Sequence, residues 1–181
     1  MVKKLLNPLV VCGFVLVLML GSLAHLMYGN CQTTKFHYMM QAYWMPDNLP
    51  EWVLVDDDKI LEHPNNFTGI WFVWHENGVK RSEVNYLRGQ PNGSLRTWHN
   101  NGELAAETYF NSKVNERLLK WFYRGGIKHM EIVFYNKNMQ FATDWNEDGS
   151  LNKKEYYDDK GVFIKRELYK DNKLTKTETT E

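Results

Sequence analysis

The sequence has few cysteines and no excess of either charge. Two cysteines stand among 181 residues, and 22 basic side chains are balanced by 22 acidic ones. Because the chain has no basic surplus and its basic residues are scattered, we expect no binding to nucleic acid. Cys12 lies in an apolar N-terminal run that removal of an export signal would take away. Cys31 then has no intramolecular partner, which excludes a fold held together by disulfide bonds.

The sequence also lacks the signatures of the common enzyme classes. It contains no Gly-x-Ser-x-Gly elbow, no His-Glu-x-x-His, no phosphate-cradling glycine loop and no Cys/His metal cluster. His75 and His99 stand 24 residues apart. On alternate strands of a sheet they would lie about 9.5 Å apart, too far to bind one metal unaided. We therefore expect a protein that is not an enzyme and needs no cofactor.

The N-terminus has the pattern of an export signal. Two lysines precede the apolar run Leu9 to Leu20, and the small residues Ser22 and Ala24 fit a signal-peptidase site. The stretch Leu9 to Leu26 would also span about 27 Å as a helix, nearly a bilayer core. Residues 1–30 are thus a signal peptide cleaved near Ala24 or an uncleaved anchor. Both alternatives place the rest of the chain across the membrane, in the periplasm or cell envelope.

Residues 31–66 form a separate lead-in or capping segment. Prolines at 46, 50 and 64 interrupt its short apolar pieces. The sequence WVLV, residues 52–55, is a plausible edge strand, because proline is tolerated at the edge of a sheet and not in its centre.

Beyond this segment the sequence repeats. Turn-forming dipeptides end at Gly78, Gly102, Gly126 and Gly149, at spacings of 24, 24 and 23 residues. A fixed period identifies a repeat protein, and Asn-Gly or Asp-Gly between aromatic and β-branched segments predicts hairpins with type I′ turns. The sequence therefore predicts an all-β fold: a single extended, curved antiparallel meander of tandem hairpins, about 24 residues each. We place it at residues 67–174, followed by a polar tail at 175–181.

Aromatic residues recur at half this period, one for each predicted strand. They are Trp74, Tyr86, Trp98, Phe110, Phe122, Phe134, Trp145, Tyr157 and Tyr169. Glu83, Glu107 and Glu131 repeat at the full period. Aromatic residues on strands that are two apart in the sheet lie about 9.5 Å from each other. Large rings can cover this distance and form a continuous apolar stripe. We expect this aromatic ladder to form the core.

One segment also matches the calcium loop of an EF-hand. In DWNEDGSLNKKE, the oxygen-bearing side chains at the ligand positions are Asp144, Asn146, Asp148, Ser150, Asn152 and Glu155. The hairpin repeat already accounts for most of these letters, and the flanking residues are β-branched and aromatic rather than helical. We therefore expect no metal site and keep these six residues as a calcium alternative.

The units beginning GIWFVWHENGVKRSEVNYLRGQPNG resemble the MORN-type repeat, in particular the short-hairpin variant of the YwqK-family antitoxins. The likeness rests on the aromatic, turn-glycine and glutamate positions over about residues 67 to 174. It implies a curved antiparallel sheet that binds a partner protein, in that family often a toxin. The return glycines are replaced around residues 111–115 and 136–138.

Strand alternation selects the binding residues. Trp74, Trp98 and Phe122 point to one side of the sheet, and the other side presents Trp71, His75, His99, Trp121 and Tyr123. We expect these five to bind the partner protein, because exposed aromatic and amphipathic patches mark interfaces. The alternative is that this second face is the covered one and the ladder face meets the partner. Three functions follow from the sequence: a protein-binding module of the antitoxin or immunity type, an envelope-associated scaffold protein, and a calcium-binding hairpin protein.

Overall fold

The computed structural model describes residues 7–54, 63, 65–111 and 114–180. The chain divides into two compact units, Met1–His63 and Pro64–Glu181, and each is described by itself. Part of the signal region, part of the lead-in segment and the last residue of the predicted tail lie outside the described residues.

The first unit begins with the long helix α1, Pro8–Tyr28. Asn7 caps its N-terminus by accepting the Leu9 N–H at 3.0 Å, and Pro8 fits the first helical position because no donor is needed there. The helix has 21 residues and a mean hydropathy of 2.4 over its 18-residue window. It is therefore long and apolar enough to cross a membrane, a property that signal sequences share.

The lead-in segment is mostly helical over residues 31–53. A 3₁₀ turn Cys31–Thr33 precedes helix α2, Lys35–Met39, which continues through the π-helical turn Met40–Trp44 into helix α3, Met45–Asn48. A second 3₁₀ turn spans Glu51–Val53. The predicted edge strand at 52–55 is therefore wrong for its described residues. Pro50 starts a helical turn in which the Leu54 N–H donates to the Glu51 carbonyl oxygen.

Buried polar side chains of this segment cap the end of α1. The Gln41 side-chain amide donates to the carbonyl oxygens of Leu26 at 3.0 Å and Gly29 at 2.9 Å. The His37 Nδ1 atom lies 2.6 Å from the Thr33 hydroxyl. The carbonyl groups at a helix end need such partners when water is excluded. Residues after α1 therefore complete its hydrogen bonding.

The second unit is a single antiparallel sheet of ten strands in sequence order. The strands are β1 (Gly69–Trp74), β2 (Lys80–Leu87), β3 (Gln90–Trp98), β4 (Leu104–Asn111), β5 (Glu116–Phe122), β6 (Lys128–Tyr135), β7 (Asn138–Trp145), β8 (Leu151–Tyr157), β9 (Phe163–Lys170) and β10 (Lys173–Thr179). The predicted single meander is confirmed. Strand β10 extends past residue 174, so most of the segment assigned as a polar tail belongs to the sheet.

The turn chemistry differs from the expected type I′ geometry. The Gly78 N–H donates to the His75 carbonyl oxygen, and the His75 N–H donates to the Val79 carbonyl oxygen, both at 2.7 Å. Among the loop residues 76–78, only Gly78 has a positive φ, 77°. This is a three-residue loop that ends in a glycine bulge. Asn77 keeps a negative φ and uses its side-chain oxygen to accept the Val79 N–H at 3.0 Å.

The same pair of hydrogen bonds closes the loops at Gly102, Gly126, Gly149 and Gly161. Two-residue turns with positive φ at both positions occur elsewhere, at Arg88–Gly89, Asn136–Lys137 and Asp171–Asn172. Type I′ geometry therefore exists in the sheet, at turns that lack the predicted Asn-Gly or Asp-Gly signal.

The turns define two margins of the sheet. The His75 margin carries the loops at Gly78, Gly102, Gly126 and Gly149. The Arg88 margin carries the two-residue turns at 88–89 and 136–137. In the last two hairpins the two turn types change margins. The three-residue loop at Gly161 lies on the Arg88 margin, and the two-residue turn at 171–172 lies on the His75 margin.

Candidate protein-binding surface

One face of the sheet carries an apolar row that crosses seven strands. Strand pairing places the following residues directly opposite one another, from β1 to β7: Trp71, Val84, Leu95, Thr108, Leu119, Ile132 and Ala142. Directly opposed side chains share a face and touch, so six apolar groups and one threonine form a continuous stripe. We call this side of the sheet the apolar face.

The stripe ends at β8, where the same row becomes charged. Glu155, Arg166 and Glu178 continue the register on β8, β9 and β10. The Arg166 guanidinium lies 2.7 Å from Glu155 and 3.6 Å from Glu178. The hydrogen bond to Glu155 raises the pKa of Arg166 above its ordinary value. The apolar part of this face is therefore confined to β1 to β7.

The opposite side is a charged face. Its central row runs through Glu83, Arg96, Glu107, Lys120, Glu131, Thr143, Lys154 and Glu167, again directly opposed. The sign of the charge alternates from β2 to β6, and ion pairs such as Arg96 with Glu107, at 2.8 Å, join neighbouring strands. Repeating glutamates found in the sequence thus face cations on the adjacent strands.

The ladder aromatics of the charged face are half-buried rather than a closed core. The Lys80 ammonium lies 5.2 Å from the centre of the Trp98 ring, and the Lys128 ammonium lies 4.7 Å from that of Trp145. These cation–π contacts cover the rings with charged groups that remain in water. The buried apolar side chains of the sheet lie on the other face and are Trp71, Val84 and Ala142.

Trp71 and Trp121 both lie on the apolar face, but their environments differ. Trp71 is only 5% exposed, and the Phe67 ring meets it edge-on with 5.3 Å between ring centres. It presents little surface to a partner, so its place among the binding residues is not supported. Trp121 is half-buried, directly opposite Ala106 and Met130. Trp121 is thus the accessible tryptophan of the predicted pair.

His75, His99 and Tyr123 occupy equivalent positions, each as the first residue of a loop at the His75 margin. The His75 Nε2 atom donates to the Trp98 carbonyl oxygen at 2.8 Å, and the Tyr123 hydroxyl donates to that of Trp145 at 3.0 Å. The His99 Nε2 atom is buried and has no hydrogen-bond partner among the described residues. The His75 and Tyr123 side chains therefore connect neighbouring hairpins as well as lining the margin.

Three further residues join this margin that the sequence did not single out for binding a partner protein: His129, Met130 and Asp144. The His129 ring lies 4.2 Å from the Tyr123 ring, and its Nε2 atom is 3.8 Å from the Asp144 carboxylate. Desolvation, with smaller contributions from Asp144 and Glu147, raises the pKa of Tyr123. Spacing alone could not place His129 beside Tyr123, because the register shift before the loop decides it.

The structure does not gather the six calcium-loop residues around one point. Asp144 accepts from the Asn152 amide at 2.9 Å, and Asp148 accepts from the Ser150 hydroxyl at 2.6 Å. Glu155 lies on β8 and pairs with Arg166. Within the part of the chain that the structure describes, no group of three His, Cys, Asp or Glu side chains has the geometry of a metal site.

Comparisons with known proteins assign no family. No protein-family model and no curated protein matches the chain. Among solved structures, TarM has a TM-score of 0.38 and 20% identity, covering 49% of this chain and 18% of that one. The GtfA/B complex with UDP and GlcNAc has a TM-score of 0.31 and 14% identity, covering 49% and 22%. A Bacteroides fragilis protein of unknown function has a TM-score of 0.19 and 16% identity, covering 64% and 95%. This chain therefore spans about a fifth of the length of the first two, and scores at this level support no functional conclusion.

Proposed function

We propose that the chain is an exported or membrane-anchored protein-binding module that binds its partner on the apolar face. The observation that carries this proposal is the apolar row from β1 to β7, which stops where ion pairs begin at β8. Docking surfaces combine an apolar centre with a polar rim. The row supplies the centre, and the side chains of the His75 margin supply the rim.

The charged face is the less suitable docking surface. Its row already pairs each glutamate with a cation, as in Lys80 with Glu83 at 2.7 Å and Lys128 with Glu131 at 3.2 Å. A partner would have to break or desolvate these pairs, which costs more than covering apolar groups. Exposed ion pairs of this kind are typical of a solvated surface.

The partner class follows from the MORN-like resemblance. We propose an antitoxin or immunity role in which the sheet binds and neutralises a toxin. We also propose that the sheet is built from tandem hairpin repeats and that it is curved. The recurrence of one loop geometry at Gly78, Gly102, Gly126 and Gly149 supports the repeat. Helix α1 supports delivery to the membrane or beyond, because its 18-residue window has a mean hydropathy of 2.4.

Two neighbouring residues on β5 allow a matched test. Trp121 faces the apolar side and Lys120 the charged side. A photo-crosslinking amino acid placed at either position, in cells that make the protein naturally, samples one face at a time. We expect a discrete crosslinked partner from position 121 and none from position 120. Mass spectrometry of the product identifies the partner, and growth of cells expressing it alone tests toxicity.

The result can also reject the proposal. Equal crosslinking from both positions, or from position 120 alone, would mean that the apolar face is not the docking surface. Trp121→Asp serves as the second variant, with the melting temperature checked first. If this variant keeps its fold and still forms the complex, the proposed surface is wrong.

A scaffold role in the cell envelope is the second candidate. The open antiparallel sheet favours it, since a repeat surface can hold several partners along its length. A crosslinked partner that is harmless when expressed alone would favour the scaffold over the antitoxin role.

A further inference from the structure

A pocket opens on the apolar face at the Arg88 margin, away from the loops of the His75 margin. It has a volume of about 450 Å³, and its lining includes Pro91, Phe110, Glu116, Arg117, Phe134 and Lys137. This volume lies within the range of small-molecule sites, roughly 300–1,000 Å³.

Strand pairing builds the floor of this pocket. Phe110 on β4 lies directly opposite Arg117 on β5, which lies opposite Phe134 on β6. The Arg117 guanidinium carbon lies over the Phe134 ring, 4.5 Å from the ring centre. Gly93, opposite Phe110, extends the row without a side chain, and a Cβ added there would meet nothing within 4 Å. Open space therefore lies beside the two aromatic rings.

The two cations of the pocket differ from the arginines that form ion pairs elsewhere on the sheet. Arg96 and Arg166 each hold a carboxylate at 2.8 Å or closer. Arg117 and Lys137 have no carboxylate within 4.0 Å among the described residues. Glu116 is the one acidic residue in the lining, so two cations against one carboxylate leave the pocket with one positive charge. A guanidinium that contacts a ring and has no carboxylate beside it keeps its N–H donors available for an anion.

We propose that this pocket, the Arg117 pocket, binds a small organic anion in which an apolar ring carries a carboxylate or phosphate group. The anion pairs with Arg117 and is attracted by Lys137, while the ring contacts Phe110 and Pro91. Such a ligand contacts both parts of the pocket, because the apolar floor packs against a ring and the guanidinium forms a charge-assisted hydrogen bond with the anion. This site is separate from the proposed protein-binding residues of the His75 margin.

Calorimetric titration of the full chain in mild detergent tests this assignment. Phenyl phosphate is the probe; inorganic phosphate supplies the charge without the ring, and phenol supplies the ring without the charge. We expect phenyl phosphate to bind more tightly than either half. Arg117→Gln should weaken phenyl phosphate binding by about tenfold or more, since a charge-assisted pair is lost.

Lys120→Gln is the matched control, because it removes one cation from the same strand on the charged face. We expect it to leave binding unchanged. Should Arg117→Gln unfold the protein, Lys137→Gln at an exposed turn provides the second variant and should weaken binding several-fold. Three results would overturn the assignment. Inorganic phosphate could bind as tightly as phenyl phosphate, Arg117→Gln and Lys120→Gln could weaken binding equally, or phenyl phosphate could give no heat.

Discussion

Replacing Trp71 with alanine tests which face of the sheet holds the core. Trp71 is the buried tryptophan of the apolar row, packed against Phe67 and directly opposite Val84. Truncating a buried Trp typically costs about 3 to 5 kcal/mol, through lost burial and the cavity left behind. Trp98→Ala on the charged face is the control, because that ring is half-buried beneath Lys80 and should cost clearly less.

The loss at Trp71 should be local, because β1 pairs only with β2. Amide hydrogen exchange resolves this. We expect exchange of the β1 and β2 amides to accelerate by about two to four orders of magnitude, as a loss of about 3 to 5 kcal/mol against local opening implies. The β8 and β9 amides should keep their protection. If Trp98→Ala is as costly as Trp71→Ala, or if Trp71→Ala leaves β1 protected, the apolar face is not the better-packed side.

Two other properties can be measured on the same protein. The Lys165 and Tyr169 hydrogen bonds lower the pKa of Glu167 to about 2. Because folding lowers this pKa from its ordinary value of 4.5, the ionised Glu167 stabilises the fold at pH values above 4.5. Stability should therefore fall as the pH drops from 4.5 towards 2. Thermal melts should show a weaker acid dependence for Glu167→Gln, and an unchanged dependence would contradict this. Asn101 uses its side chain to accept the Glu103 N–H at 3.0 Å, whereas Asn136 has a positive φ of 48°. Asn101→Gly should therefore destabilise by about 1 kcal/mol, and Asn136→Gly should be neutral or better. Urea unfolding with the opposite order would restore the type I′ interpretation of the Gly102 loop.

The strands and their order were predictable because the evidence for them is local. Aromatic and β-branched segments between regularly spaced glycines predict hairpins, and short connections allow only sequence neighbours to pair. Turn type was less predictable, because Asn101 before Gly102 suits a two-residue turn as well as a three-residue loop. The side-chain hydrogen bond to Glu103 decides between them, and it depends on backbone geometry that the dipeptide does not reveal.

The packing of the two faces was harder to predict. Regular aromatics suggested a core on the side of Trp98, yet the lysines that follow the loops cover those rings. Val84 and Ala142 are unremarkable in the sequence and become the buried positions through strand register. The Arg117 pocket could not be predicted from the sequence, because it too depends on strand register. Its residues come from four strands, and only the pairing brings Phe110 and Phe134 to either side of Arg117.

The strict sequence order of the ten strands affects how the sheet can assemble. Each strand after β1 pairs with the strand immediately before it in the chain, so none of them must wait for a distant segment to be made. Folds dominated by such local contacts fold fast for their stability. A chain that emerges N-terminus first, from a ribosome or a translocation pore, can add one strand at a time to the growing edge. Strand β10 forms an edge of the sheet, and its lysines at 173 and 176 discourage that edge from pairing with another molecule.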